Sequence, residues 1–164
     1  MRALADQKLP DAWIAAGAIR NAVWDHLHGY AHATPLNDVD VIWYDPAQAN
    51  CSRDRVLEAA LARRLPGVAW SVKNQARMHI RNGDPAYTNC ADAMRYWPET
   101  ATAVAARLAG GGDIELCAPF GLGDLVLLVV RVTPYFAQHR QEAARHRWQR
   151  KNWTGTWPNL KIQL

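Results

Sequence analysis

Acidic and apolar residues alternate through Asn37-Asp38-Val39-Asp40-Val41-Ile42-Trp43-Tyr44. Side chains alternate with period two along a strand, so Asp38 and Asp40 share one face and Val39, Val41 and Trp43 the other. A strand is therefore expected over 39–44, its apolar side in a core. Upstream, Leu9-Pro10-Asp11 breaks any leading helix, and 12–16 reads as a buried strand or the approach to one. Gly17 follows, then a helical period over 18–28. Ile19, Val23 and Leu27 recur every four residues as the expected buried stripe; Arg20, Trp24 and His28 share a different face, and Gly29 is a natural C-cap.

Ser52 is placed to cap a helix over 52–65, with Val56, Leu57, Ala60, Leu61 and Leu65 inward and Pro66-Gly67 as its stop. Val68, Trp70 and Val72 alternate with Ala69, Ser71 and Lys73 as another strand. Residues 74–80 fit either its continuation or a short helix. Asn89 can cap a further helical block, which Pro98 divides. Residues 100–108 read as helix, Gly110-Gly111-Gly112 as a loop and Ile114–Cys117 as a short strand. Residues 123–132 read as an apolar helix or strand, with Asp124 as its cap, and 138–151 as a charged helix. The order predicts an α/β (α+β) fold, a small mixed sheet with flanking helices. It forms one domain over 1–164, with a core at about 10–118 and a helical, Trp-rich, basic C-terminal segment at about 119–164.

Composition narrows the class. A hydrophobic fraction of 49 % with 21 % charged residues is that of a globular chain, not a disordered one. The longest apolar run, 125–132, is too short for a bilayer and is broken by Arg131, so no membrane association is expected. The first residues lack a signal peptide's apolar stretch. Cys51, Cys90 and Cys117 are widely separated and odd in number, which argues against a disulfide framework or a zinc site and fits a cytoplasmic location. The net charge of +4 is uneven: beyond Arg131 lie Arg140, Arg145, Arg147, Arg150, Lys151 and Lys161 against the single acid Glu142. That segment is either a solvated helix face or a surface for nucleotide or nucleic acid. Its tryptophans, Trp148, Trp153 and Trp157, either stack bases or anchor the segment on the domain.

The chemistry centres on the two acids. Neighbouring carboxylates repel unless a positive object lies between them. Mg²⁺ takes one or two protein carboxylates, keeps several waters and fills its shell with phosphate oxygens. A glycine at a strand-to-helix turn lets backbone approach a phosphate, and the helix behind it offers free N–H groups. Gly17, the helix after it and the Asp38/Asp40 strand thus read together as a metal–nucleotide site. His79 reads as a structural histidine, and His26, His28 and His32 lack the spacing of a metal motif.

The layout Ala16-Gly17-Ala18, helix, Asp38-Val39-Asp40-Val41 resembles the nucleotidyltransferase superfamily typified by DNA polymerase β. Its spacing is closer to the aminoglycoside and lincosamide nucleotidyltransferases than to the polymerases. Further segments, Trp70-Ser71-Val72-Lys73-Asn74-Gln75-Ala76-Arg77-Met78-His79, Trp97-Pro98-Glu99-Thr100-Ala101 and Ala118-Pro119-Phe120-Gly121-Leu122-Gly123-Asp124-Leu125, look like a family of small bacterial nucleotidyltransferase-like proteins. The resemblance implies transfer of a nucleoside monophosphate from a nucleoside triphosphate to an acceptor that is a small molecule, an RNA end or a protein. It implies Mg²⁺ or Mn²⁺ on the catalytic Asp38 and Asp40, and nucleotide binding by Gly17, Ala18, Arg20, Lys73, Asn74 and Arg77. Arg20 pairs with Asp25 or Asp38, or else neutralises the triphosphate with Lys73 and Arg77; Trp24 or Trp70 would stack the base. The chain departs from the superfamily pattern twice. Ala18 stands where Gly or Ser is usual, and the strand at 68–72 carries no third acid. Asn74 lies just beyond that strand, and Glu115 is a substitute from elsewhere. A degenerate nucleotide- or RNA-binding protein is the alternative, and a nucleic-acid-binding module built on the basic tail is a third reading.

Overall fold

The computed structural model describes residues 1–163. Its centre is a five-stranded mixed sheet in the order β3-β2-β1-β4-β5. The strands are β1 (Trp13–Ala15), β2 (Val39–Trp43), β3 (Trp70–Asn74), β4 (Ala105–Leu108) and β5 (Ile114–Cys117). β2 and β3 run parallel and the other neighbours antiparallel. The parallel pair is bridged by helix α3 (Cys51–Arg64), as a parallel crossover requires. Helix α1 (Arg2–Ala5) and α3 cover one face, where Ile14, Val41, Trp43 and Val72 meet Leu4, Leu57 and Leu61. On the other face Trp13, Ala15, Ile42 and Ala105 pack on Cys90 and Met94 of α5 (Cys90–Met94). The alternation along β2 is realised as expected: Val41 and Trp43 are fully buried.

Between these lie α2 (Gly17–Leu27) and α4 (Gln75–Asn82). Residues 74–80 resolve as helix because the Asn74 side chain accepts the Ala76 N–H and caps it. The C-terminal part contains α6 (Gly123–Val126), β6 (Val129–Arg131), α7 (Pro134–His139), α8 (Gln141–Lys151), α9 (Trp153–Thr156) and β7 (Lys161–Gln163). It is thus not purely helical: β6 and β7 pair in parallel as a second small sheet.

Several local expectations change. Residues 100–108 are not helical; they turn at 100–104 and then form β4. Ala105 and Ala106 favour helix by themselves, but both are wholly buried where β4 pairs with β1, a place only small side chains fit. Residues 123–132 break at Leu128, whose φ is 59°, and Asp124 bonds Thr100 and Arg131 instead of capping. The charged helix at 138–151 is two helices, divided at Arg140, whose guanidinium is held by Asp84. Asn50, not Ser52, caps α3, and Val56 and Leu65 are exposed. On α2 the buried residues are Arg20, Asn21, Trp24 and Asp25, while Leu27 is exposed. The reversal has a plain cause. The C-terminal segment roofs that face, with the Trp153 and Trp157 rings 5.6 and 5.1 Å from that of Trp24.

One buried carboxylate ties α3 to the edge of the sheet. Asp54 accepts the Trp43 indole N–H at 2.8 Å and the Asn74 backbone N–H at 3.1 Å, and pairs with Arg77. Removing it strands three donors, so Asp54→Ala is expected to cost about 3–5 kcal/mol in urea unfolding. Asp6→Ala, which breaks the half-exposed Asp6–Arg64 pair, should cost less than about 1 kcal/mol.

Candidate functional site

The site begins where β1 turns into α2. Ala16 has φ 54° and ψ −121°, a left-handed conformation that is strained for alanine. Its backbone N–H is held by the Val104 carbonyl at 2.9 Å and its carbonyl accepts the Arg20 N–H at 2.9 Å. This pinned corner starts α2 abruptly at Gly17. A Cβ on Gly17 would meet nothing nearer than the Arg20 side chain at 3.8 Å, so protein packing does not demand glycine there. The Ala18 side chain packs on the core, leaving its backbone as its contribution to the helix start.

Asp38 immediately precedes β2 and is exposed; Asp40 is half-buried and lies opposite Ala15 on β1 and Ser71 on β3. Two clefts meet here. One, of about 290 Å³, lies between Gly17, Arg20, Asp38 and the loop at 34–37 on one side and Arg147 and Lys151 of α8 on the other. The second, of about 250 Å³, runs along Ile42, Lys73, Met78 and Trp97. Asp40, Ala16, Thr102 and Arg147 line both. Burial pushes the Asp40 carboxyl above the usual carboxylate range, and the charge of Asp38 pushes it further, against the opposing pull of the Ser71 hydroxyl, Lys73 and Arg147.

Arg20 is buried. Its guanidinium donates to Thr102 Oγ1 at 2.8 Å and Asn21 Oδ1 at 2.9 Å, and lies 4.8 and 4.4 Å from the ring centroids of Trp24 and Trp153. Burial lowers its pKa to about 10, with Glu99 opposing, so it stays charged at neutral pH. It pairs with neither Asp25 nor Asp38. Asp25 instead accepts the Thr34 N–H at 2.8 Å and the Trp157 indole N–H at 2.8 Å, which clamps the loop to the C-terminal segment.

The structure thus gathers Gly17, Arg20, Asp38 and Asp40 in one cleft and places Lys73 in the second, where its ammonium also contacts Glu58 at 3.0 Å. Asn74 and Arg77 line neither cleft: Arg77 is held by Asp54, and Asn74 is wholly buried, bonding the Asp45 and Gln48 carbonyls. Glu115, on β5, pairs with Arg107 of β4 and lies three strands from β2, which at about 4.8 Å per strand is roughly 14 Å away. Ser71, not a third acid, stands beside Asp40 on β3. Trp24 is fully buried and Trp70 packs on the core of the α3 face; Trp153 and Trp157 are the tryptophans at the cleft. Trp153 and Trp157 are buried anchors, not free stacking platforms. Sequence reasoning missed Arg147, Lys151 and Thr102 as cleft residues, although the basic charge beside three tryptophans was the available signal.

For a divalent ion, Asp38 and Asp40 supply the carboxylates of the cleft; the described residues contain no cluster of three or more His, Cys, Asp or Glu suited to a metal. Two carboxylates plus water and phosphate oxygens are the donor set of Mg²⁺, and the destabilised charge on Asp40 is what a cation would relieve. The residues fit the ion.

A nucleotidyltransferase family model matches residues 2–162. The chain belongs to this nucleotidyltransferase family. A CCA-adding enzyme head domain solved by NMR is 37 % identical, with a TM-score of 0.86 over 99 % of this chain and 88 % of that one. A tRNA nucleotidyltransferase complexed with primer tRNA and an incoming ATP analog is 21 % identical, with a TM-score of 0.58 over 99 % of this chain and 46 % of that one. A CCA-adding enzyme bound to CTP is 16 % identical, with a TM-score of 0.57 over 98 % of this chain and 38 % of that one. The chain therefore spans less than half the length of these last two proteins. No curated protein matches. No helix among the described residues is long and apolar enough to cross a membrane.

Because the folded state holds the Asp40 proton more tightly than the unfolded state, ionised Asp40 weakens the fold above that group's folded pKa. Asp40→Asn is expected to raise Tm by a few degrees in EDTA at pH 7.5. The gain should shrink as pH falls through the folded pKa and the native carboxyl takes up its proton.

Proposed function

We propose that the protein transfers a nucleoside monophosphate from a nucleoside triphosphate to an acceptor hydroxyl. The observation that carries this reading is that Asp40 lines two adjoining clefts of different character. The first suits a triphosphate: the α2 start is unobstructed at Gly17, and Arg20, Arg147 and Lys151 surround it with positive charge. The second combines Met78, Trp97 and Ile42 with polar groups and suits an acceptor. Mg²⁺ or Mn²⁺ on Asp38 and Asp40 would, when bound, stabilise the attacking and leaving oxygens. The protein's own part is positioning. The cationic wall orients the phosphates, and the shared boundary at Asp40 brings donor and acceptor to one point. Likeness to a CCA-adding enzyme head domain favours an RNA end over a small molecule or a protein as acceptor.

One observation favours a second reading, nucleotide binding without turnover. Ser71 beside Asp40 cannot take a proton at neutral pH as a third carboxylate would.

Incubation with ATP, CTP, GTP and UTP, Mg²⁺ or Mn²⁺ and a panel of RNA, small-molecule and protein acceptors decides between them. Turnover predicts pyrophosphate release that falls at least about a hundredfold in the Asp38→Asn/Asp40→Asn variant. An unchanged rate in that variant overturns the assigned site. Nucleotide binding with no pyrophosphate from any acceptor establishes the second reading.

A further inference from the structure

Glu99 lies in the Trp97-Pro98-Glu99-Thr100 segment and touches neither cleft. It is nevertheless 0 % exposed, and charged side chains are rarely so fully buried without a task. Its Oε1 accepts the Arg147 Nε–H at 2.9 Å and the Trp148 indole N–H at 3.0 Å. Both donors come from α8, so this one oxygen fixes the helix that forms the far wall of the nucleotide cleft. The manner of the contact matters. Arg147 is gripped through Nε, the nitrogen nearest its stem, and its two terminal nitrogens donate to no protein acceptor among the described residues. An arginine held this way presents its planar fork elsewhere, and Arg147 lines both clefts at the point where Asp40 does. The guanidinium also lies 5.6 Å from the Trp153 ring centroid, which limits its swing.

The other oxygen of Glu99 is equally telling. Oε2 is buried with no hydrogen-bond partner, and so is Nε of Arg20. Glu99 is the strongest anionic influence on Arg20, and Arg147 the opposing cationic one. Glu99 therefore sits between two buried or half-buried guanidinium groups, and both cations line the space that Asp38 and Asp40 border. A polyphosphate is the ligand chemistry that an open guanidinium fork, with a cation held on the acids opposite, recognises.

We propose that Glu99 is the positioning residue of the nucleotide cleft: by binding Nε of Arg147 it turns that guanidinium fork toward the triphosphate and docks α8 as the cleft wall. This deepens the reading given under Proposed function and rests on it. Glu99 acts through a hydrogen-bond acceptor and not through its field, because a negative charge near a phosphate by itself only weakens binding. The two contributions are separable. Glutamine keeps an acceptor for Arg147 and Trp148; methionine keeps the shape and removes it.

The test is calorimetry with Mg²⁺ and inorganic tripolyphosphate, which isolates phosphate recognition from base recognition, with Tm measured in parallel. Glu99→Gln should bind within about threefold of the natural chain. Glu99→Met and Arg147→Met should each weaken binding roughly tenfold or more, the loss expected for one hydrogen bond to a charged group. The double variant Glu99→Met/Arg147→Met should bind no worse than Arg147→Met, since one acts through the other. If both Glu99 variants tighten binding, the residue acts by its charge and the proposal is overturned. It is equally overturned if Tm falls while affinity holds, or if the two effects add. If Glu99→Met does not fold, Glu99→Gln and the Arg147→Met and Arg147→Lys variants still decide. Binding that is indifferent to Arg147 overturns the proposal, and loss in Arg147→Lys, which has no Nε–H to be held, supports it. If the natural chain binds no tripolyphosphate at all, the nucleotide-cleft reading itself falls, an outcome distinct from failure of the Glu99 assignment alone.

Discussion

Two carboxylates held on one face of a half-buried strand must be compensated, and much of this molecule is the compensation. Asp38 and Asp40 follow from the period of β2, which spends its other face on Val41 and Trp43 in the core. The repulsion that results is not relieved by direct ion pairs. Instead, positive groups stand back from the acids: Arg20 locked among Thr102, Asn21 and two indoles, Arg147 gripped by Glu99, Lys73 shared with Glu58. Each cation is tied elsewhere, so none collapses onto the acids and closes the space a metal–phosphate group would need. The cost is an Asp40 carboxyl pushed above its ordinary range, a local instability of the kind found where function and stability compete.

The C-terminal segment is the second half of that arrangement. Trp153 and Trp157 pack edge-on against Trp24, and Asp25 accepts from both Trp157 and the loop at 34–37. Aromatic burial of this size fixes α9 over α2, and with the Arg147–Trp153 contact it sets Arg147 and Lys151 at the edge of the cleft. Part of the basic charge of the tail, Arg147 and Lys151, is thus the wall of a cleft, while Arg145, Arg150 and Lys161 are exposed.

The legible parts of the sequence were those governed by local rules. The β2 alternation, the glycine opening α2 and the Asn89 cap depend on period and capping and appear as read, while the strand expected at 68–72 forms two residues later, at 70–74. The failures trace to distant partners. Helix-favouring alanines at 105 and 106 become a strand because β1 needs small neighbours. The inward face of α2 is set by tryptophans some 130 residues away. Asn74 and Arg77, polar and charged residues at and just beyond the end of β3, are claimed elsewhere: Asp54 from α3 accepts the Asn74 backbone N–H and pairs with Arg77. At the site, the acids and Arg20 could be found from pattern and resemblance. For Arg147 and Lys151 the signal was only coarse, basic charge beside tryptophans, because nothing in their spacing reveals which side of α8 lines the cleft.

The indole stack between Trp24 and the 153–157 segment also dictates a timetable. A cleft whose floor is laid down near residue 17 and whose lid lies beyond residue 150 is closed by contacts of very long sequence separation, the kind that form late. During synthesis the sheet from β1 to β5 can assemble while the face of α2 bearing Trp24 and Arg20 still lies open to solvent. The nascent protein therefore carries a sticky, cationic, aromatic surface until the segment at 147–157 emerges, and only then is the cleft walled on both sides.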